Sequence, residues 1–383
     1  MNREKRIIVI QIFLFVATFI TTTLAGAEWT YGKSFLALHP TFWLAPNPAF
    51  TWGDFASGLS FSIPFLLILT VHEFGHYFTA MHHKVKASLP YYIPIPPLPL
   101  SIGTMGAVIR LRSKVYSKMQ NFDIGIAGPL AGFVMALIVL IYGFATLPPA
   151  EYIFQIHPEY AQYGLNYADH VYTPHEGLVD VTLGKNLLFM FFEQIADPAR
   201  LPNVHEIMHY PFLFAGFLAL VFTSLNLLPI GQLDGGHVVY GLVGYKKHRI
   251  IASVFFVGFM FYAGLGLDYI HPSLPLSDLQ WNIPLYLLFL YFCFRGLGLQ
   301  LRDTVMYTLL VFAVQFTLTF MYPKIQGYSG WLLFGFLLGR FLGITHPPSE
   351  IEEPLDEKRK ILGWIAVIIF IICFTPNPIE LHV

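Results

Sequence analysis

Long apolar runs separated by short polar segments dominate the chain. A membrane-spanning helix needs about 20 predominantly apolar residues. About nine runs approach that length, and they cover roughly 7–25, 55–79, 124–146, 210–230, 250–268, 283–299, 303–321, 330–344 and 361–375. The pattern predicts an all-α polytopic membrane protein with about 8–9 transmembrane helices. The first run has a second interpretation as a cleaved signal peptide, because MNREKR precedes it and AGA follows it.

One polar stretch breaks this helical pattern. SLPYYIPIPPLPL, at 88–100, is too rich in proline to form a regular helix. GTMGAVIRLRS follows, and it alternates Ile109 and Leu111 with arginines. Alternation of this kind predicts a short membrane-associated β-hairpin or strand near residues 103–115.

Composition supports a membrane protein. The 383 residues are 55% hydrophobic and 12% charged, whereas soluble domains carry roughly 25% charge. The formal net charge of −1 gives no sign of a nucleic-acid partner. Cys293 and Cys373 both lie in apolar runs, so neither a disulfide framework nor a thiolate metal site is expected. The expected surroundings are a lipid bilayer.

Basic residues predict the orientation. Lys and Arg are concentrated in MNREKR and in segments 81–123, 231–249 and 345–360, whereas 147–209 has only two. Basic loops stay on the cytoplasmic side, so the N-terminus is expected there and 147–209 is expected to face outward. The sequence shows no plastid-type leader, which favours a prokaryotic cytoplasmic membrane. His346 and the acids after it are expected in a solvated cytoplasmic loop.

The third apolar run begins with FDIGIAGPLAGF. Gly128 and Gly132 form a G-x-x-x-G pair, which predicts close helix packing. Asp123 is expected to be the N-cap of this helix rather than a metal ligand.

A metal-hydrolysis motif lies inside the second apolar run. HEFGH places His72 and His76 four residues apart, on one face of a helix. Both can bind one zinc ion, with Glu73 beside them as general base. Ionisable residues in hydrocarbon are costly unless they form a site, so two satisfied core histidines are a weaker interpretation. The motif is expected near the cytoplasmic side of the membrane.

A third ligand is expected at the end of the fourth run, TSLNLLPIGQLDGGHVVY. Pro229 and Gly231 break the helix there, and broken backbone at membrane depth needs a protein or polar surrounding. Asp234 offers a carboxylate oxygen at a depth similar to the two histidines, and the glycines beside it permit close backbone approach. His237 is the competing ligand.

A second H-E-x-x-H occurs at His205, Glu206 and His209. It lies in the outward segment, and Pro211 ends any helix directly after it. The favoured interpretation is a solvated coincidence near the membrane. A second metal site in this segment remains an alternative, with possible further ligands His175, Asp180 and Glu193.

The combination of HEFGH in one span with NLLPIGQLDGG in a later one resembles the site-2 protease family of intramembrane zinc metalloproteases. GTMGAVIRLRS and FDIGIAGPLAGF are also similar to that family. The resemblance implies zinc held by His72, His76 and Asp234, with Glu73 catalytic and Asn226 near the substrate or the developing oxyanion. No insertion of the size of a PDZ or CBS domain is visible, so the resemblance is to the subgroup without them.

The resemblance divides the chain into three parts. Residues 1–54 form an N-terminal transmembrane helix and outward loop, 55–245 a site-2-protease-like catalytic core, and 246–383 the C-terminal transmembrane helices. It implies hydrolysis of peptide bonds in or near transmembrane segments of membrane protein or peptide substrates. The alternatives are a non-proteolytic zinc-binding scaffold that binds transmembrane helices and a metal transporter. The transporter is disfavoured because no other span pairs His or acidic residues deep in the membrane.

Overall fold

A computed structural model describes residues 3–37, 44–172 and 180–382. This part of the chain is mostly helical. Its α-helices are α1 Arg3–Tyr31, α2 Trp52–Ser57, α3 Leu59–His82, α4 Lys118–Ala145, α5 Ile153–Ile156, α6 Ala168–Val171, α7 Leu187–Ile195, α8 Pro211–Asn226, α9 Asp234–Val243, α10 Tyr245–Ala263, α11 Leu276–Phe294, α12 Leu301–Met321, α13 Gly330–Leu337 and α14 Glu357–Cys373. Short 3-10 helices cover Ala150–Tyr152, Pro158–Asn166, Val204–His209, Asp268–Ile270 and Arg295–Leu297, and a π-helical turn covers Leu338–Leu342.

Within the described ranges, three two-stranded antiparallel sheets interrupt the helices. Their strands are β1 Leu36–Ala37, β2 Ala45–Pro46, β3 Tyr91–Pro94, β4 Thr104–Val108, β5 Asp180–Leu183 and β6 Ile379–His382. The β3–β4 pair is the hairpin predicted near residues 103–115, and it joins Tyr91 to Val108. The β5–β6 pair joins Asp180 to His382 and was not predicted, because its partners lie almost 200 residues apart.

Among the described residues, four helical stretches are long and apolar enough to cross a membrane: Glu4–Tyr31, Trp52–His82, Lys118–Ala145 and Leu301–Met321. Pro211–Asn226 and Gly330–Leu342 are shorter apolar helices. Each of the nine predicted runs overlaps a helix. The prediction of a mostly helical membrane protein is therefore confirmed, whereas the number of 8–9 spans is not.

The chain divides into two compact units. The first contains residues 1–114, 127–225 and 369–383. Within it α1 lies against α3, and Gly58 permits the contact because a Cβ there would lie 2.0 Å from the Thr23 carbonyl oxygen. Trp29 and Phe61 pack on Phe214 with ring centroids 5.3 and 5.1 Å away. These buried rings fix one end of α1 and α3 beside the start of α8.

The β3–β4 hairpin lies beside α1 in the same unit. The Gln11 side-chain amide donates to the Leu89 carbonyl (2.6 Å), and the Trp29 indole donates to the Ser101 carbonyl (3.0 Å). Gly103 has φ +80°, and a Cβ there would lie 2.4 Å from the Thr21 carbonyl oxygen. The proline-rich segment is therefore held along the helix instead of extending into solvent.

The second unit contains residues 115–126 and 226–368. Its apolar core is formed by α10, α11, α12 and α13, and the fully buried residues there include Phe256, Met260, Leu290 and Phe294. The buried polar side chain of Gln315 is bonded within this core: its amide nitrogen donates to the Met260 carbonyl (3.1 Å), and its amide oxygen accepts from the Tyr286 hydroxyl (3.1 Å).

Two sequence-based predictions in this unit are wrong. Asp123 is not an N-cap, because α4 begins five residues earlier and Asp123 instead forms an ion pair with Arg359 (2.7 and 2.8 Å). His346 itself is not solvated, since only 3% of it is exposed, whereas the acids after it, Glu350, Glu352 and Glu353, are exposed as predicted. The segment after His346 is bound to the rest of the unit: Tyr240 donates to Glu352, and the Lys118 amide donates to the Ile351 carbonyl (2.9 Å).

Candidate metal centre

Helix α3 carries His72, Glu73 and His76 at its buried side. Their exposed fractions are 5%, 4% and 7%. The helix runs without interruption to His82, as predicted, so the two histidines lie one turn apart on one face. Their Nε2 atoms are 3.1 Å apart, and Glu73 Oε1 lies 4.0 Å from His72 Nε2. Two convergent buried imidazoles with an adjacent carboxylate match the donor types that zinc prefers.

Helix α4 supplies the space for these two rings. A Cβ on Gly128 would lie 2.0 Å from His76 Nε2, and a Cβ on Gly132 would lie 3.0 Å from His72 Nδ1. The predicted close packing at the G-x-x-x-G pair is confirmed. The groups that pack on these two glycines are the imidazole rings of His76 and His72, which the sequence did not predict.

The predicted helix break is also confirmed. α8 ends at Asn226, α9 begins at Asp234, and residues 227–233 are irregular. Gly235 and Gly236 let α9 start against this segment, because a Cβ there would lie 2.0 Å from the Leu227 carbonyl oxygen and 2.2 Å from that of Gly231. Asn226 and Asp234 are both half-buried at the two ends of the break.

His237, the competing ligand, has its own partner in the second unit. Its Nδ1 lies 2.8 Å from His346 Nε2. The His346 ring in turn stacks on Tyr240, with centroids 4.1 Å apart.

The second H-E-x-x-H motif does not have the geometry of the first. Val204–His209 is a 3-10 helix, with about three residues per turn, so residues i and i+4 do not share a face. His205 Nδ1 lies 2.6 Å from Asp180 Oδ2, whereas His209 Nε2 lies 3.2 Å from His157 Nε2. The two histidines of this motif therefore contact different side chains and do not converge on one point.

The second motif is not solvated, contrary to expectation. Glu206 is 1% exposed and His209 is 8% exposed, because the described residues before them pack around the rings of Tyr160, Tyr167 and Tyr172. Burial raises the pKa of Glu206 to about 7 and lowers the pKa of His209 to about 4. The two groups are therefore not a simple ion pair at neutral pH.

Two of the other ligands suggested for this motif do not complete a metal site with it. Asp180 contacts its first histidine, His205 (2.6 Å), and Glu193 forms an ion pair with Lys185 (2.8 Å). His175 lies outside the described residues. His157, which the sequence interpretation did not connect to the motif, is 52 residues from His209 along the chain.

Comparison with known proteins assigns the chain to a family. The model of peptidase family M50 matches residues 60–265, more than half of the chain. The chain belongs to peptidase family M50, the site-2 protease family. M50 peptidases are zinc-dependent, and the buried imidazole pair of His72 and His76 fits a zinc ion.

Curated relatives agree with the M50 assignment. "Probable zinc metalloprotease EGY1, chloroplastic" of Oryza sativa subsp. japonica is 29% identical over 227 residues, covering 59% of this chain and 34% of the relative. The protein of the same name from Arabidopsis thaliana is 30% identical, covering 56% and 33%. "Probable zinc metallopeptidase EGY3, chloroplastic" of Arabidopsis thaliana is 27% identical, covering 58% and 36%. No solved structure matches the chain significantly.

The chain spans about a third of the length of these M50 relatives. All three are named chloroplastic, so the expectation of a prokaryotic cytoplasmic membrane is not supported. A membrane location agrees with the apolar helices described above.

Proposed function

We propose that this chain is an intramembrane zinc metalloprotease that hydrolyses peptide bonds in or near transmembrane segments. One observation carries the proposal. His72, Glu73 and His76 are buried on a helix that is long and apolar enough to cross a membrane, and the Nε2 atoms of the two histidines converge to 3.1 Å. Ionisable groups at that depth are expensive unless they serve a site.

Zinc is held, in this proposal, by His72, His76 and Asp234. Support for Asp234 comes from its own surroundings. It is the first residue of α9, directly after the irregular segment 227–233, and it is half-buried. A carboxylate oxygen is a donor that zinc accepts beside two imidazoles.

Glu73 is the proposed general base and acid. Its carboxylate would take a proton from the water that attacks the scissile carbonyl and then deliver it to the leaving amine. The Asn226 side-chain amide, at the end of α8, would donate to the developing oxyanion or position the substrate. When bound, zinc supplies Lewis-acid polarisation and lowers the pKa of water to about 7.

A helical substrate must unwind before it can be cut, because its carbonyl groups are hydrogen-bonded within the helix. Unwound backbone in lipid needs new partners. β4 pairs with β3 on one side, and none of the described strands pairs with its other edge. We therefore propose that the substrate adds to this edge as a strand.

Replacement of Glu73 by Gln tests the proposal against the alternative of a non-proteolytic zinc scaffold. We expect Glu73→Gln to retain wild-type zinc, since the residue is not a ligand, and to lose roughly 10²–10⁴-fold in cleavage rate. The substrate is a single transmembrane segment reconstituted with the purified protein. A wild-type protein that binds zinc and substrate without cutting any of a set of such segments would support the scaffold instead.

A further inference from the structure

A second group of metal-binding side chains lies in the outward segment. It consists of His157, Glu206 and His209, whose ligand atoms all lie within 4.8 Å of one another. The two histidine Nε2 atoms are 3.2 Å apart, and Glu206 Oε2 lies 3.5 Å from His209 Nε2.

Outer contacts set the tautomer of each imidazole. His209 Nδ1 lies 3.0 Å from the carbonyl oxygen of Thr30, which can only accept, so Nδ1 carries the proton. His157 Nδ1 faces the Glu159 carboxylate at 3.2 Å and is likewise the donor. In the neutral rings, both Nε2 atoms then present lone pairs to each other. Contacts of this type, from a carbonyl or carboxylate to the far nitrogen, are those that orient metal-binding histidines.

Glu206 adds a buried carboxyl group to the same point. Its Oε1 accepts from the Tyr172 hydroxyl, whereas Oε2 is buried and makes no hydrogen bond of good geometry with the described residues. Lys185 and Arg200 are the only Lys and Arg in segment 147–209, and they pair with Glu193 and Asp197. A buried carboxyl group is either protonated or paired with a cation, and a bound metal ion would supply that cation.

We propose that His157, Glu206 and His209 bind a divalent transition-metal ion of the zinc class. Two imidazole nitrogens and one carboxylate oxygen are the donors that such an ion takes. The metal would join the start of the Pro158–Asn166 helix to the Val204–His209 helix, and so stabilise the folded outward segment.

This site is separate from the proposed catalytic centre. His209 is bonded to Thr30, and the neighbouring Tyr31 hydroxyl lies 3.2 Å from Ser60 Oγ at the start of α3. His72 lies about 18 Å further along α3 at 1.5 Å per residue. Substitutions can therefore remove metal binding at one site without altering the other.

The test uses full-length protein in which the first site is removed by His72→Ala and His76→Ala together. After chelation and equilibration with buffered zinc, we expect about one zinc per chain. Adding His157→Gln or Glu206→Gln should weaken zinc binding by more than the roughly 10–100-fold that loss of an outer partner costs. His205→Gln is the matched control, because His205 lies in the same 3-10 helix but pairs with Asp180, and it should leave zinc bound.

Cobalt gives a second readout that does not depend on activity. Co²⁺ in the same double variant should show visible ligand-field absorption, which His157→Gln removes and His205→Gln retains. The proposal is overturned if the double variant, with wild-type circular dichroism and a single elution peak, binds no zinc. It is also overturned if Glu206→Gln and His157→Gln bind zinc normally, or if His205→Gln weakens binding as much as they do.

Discussion

Gly128 makes the closest approach to a proposed zinc ligand among the described glycines of α4. Since a Cβ there would lie 2.0 Å from His76 Nε2, Gly128→Ala must displace the ring or the helix. We expect zinc affinity to fall by roughly tenfold or more, as measured by competition with a chromophoric chelator.

The matched control for Gly128→Ala is Gly258→Ala, which also lies within a helix but has no atom within 4 Å of the added Cβ. Because alanine favours helix over glycine, this control should keep wild-type zinc affinity and stability. Equal zinc affinity in Gly128→Ala and wild type would show that the glycine is not needed for the site.

Residue types alone do not distinguish the two H-E-x-x-H motifs. The first lies in a continuous apolar run, which fixes an α-helix and hence the face that His72 and His76 share. The second is bounded by Asn203, whose side chain caps a 3-10 helix, and by Pro211. The sequence therefore predicted that the second motif was not of the same kind. It could not predict the partner His157, because no local pattern connects residues 52 apart.

Among the helices and strands, the β3–β4 hairpin gives the clearest prediction about substrate cleavage. If substrate adds to the free edge of β4, removing backbone N–H donors there should reduce cleavage. We expect Ala107→Pro and Ile109→Pro each to lower the cleavage rate of a transmembrane substrate while zinc per chain stays at the wild-type value.

The control for this hairpin prediction is Ala107→Ser, which retains the N–H group and should cleave normally. Circular dichroism and thermal unfolding of both proline variants establish that the fold survives. Cleavage at the wild-type rate in both proline variants would exclude strand addition at this edge.

Helix positions follow from the sequence more reliably than helix starts do. Each long apolar run became a helix, because an apolar run in lipid must satisfy its backbone internally. The start of α4 was misplaced because Ser117 and Gln120 form a capping box: the Gln120 amide donates to Ser117 Oγ (3.1 Å), and Gln120 Oε1 accepts from the Ser117 amide (3.4 Å). Asp123 is then inside the helix, where Arg359 pairs with it.

At the scale of the whole molecule, the β5–β6 pair constrains the topology. β6 is the last described strand, β5 packs on the Val204–His209 helix, and His209 is bonded to Thr30 near the end of α1. The C-terminal strand therefore lies at the end of α1 opposite the N-terminus. If α1 crosses the membrane, we expect residues 3 and 382 on opposite sides of it, and hence an odd number of crossings between them.

Labelling with a membrane-impermeant maleimide tests this topology. Cys293 and Cys373 are buried, so a single added cysteine reports its own position. Pro376→Cys should react in intact cells, and Lys5→Cys should react only after permeabilisation, because the basic N-terminus is expected on the cytoplasmic side. Reaction of both variants from the same side would contradict the odd number of crossings.

The metal centre on α3 is tested by the amount of zinc per purified chain in wild type, His72→Ala, Asp234→Ala and His205→Ala. We expect His72→Ala to lose one equivalent relative to wild type, Asp234→Ala to weaken binding of that same equivalent, and His205→Ala to lose none. Because only the difference from wild type matters, the outward site does not affect the result. Equal zinc in wild type and His72→Ala would contradict an intramembrane metal centre on α3.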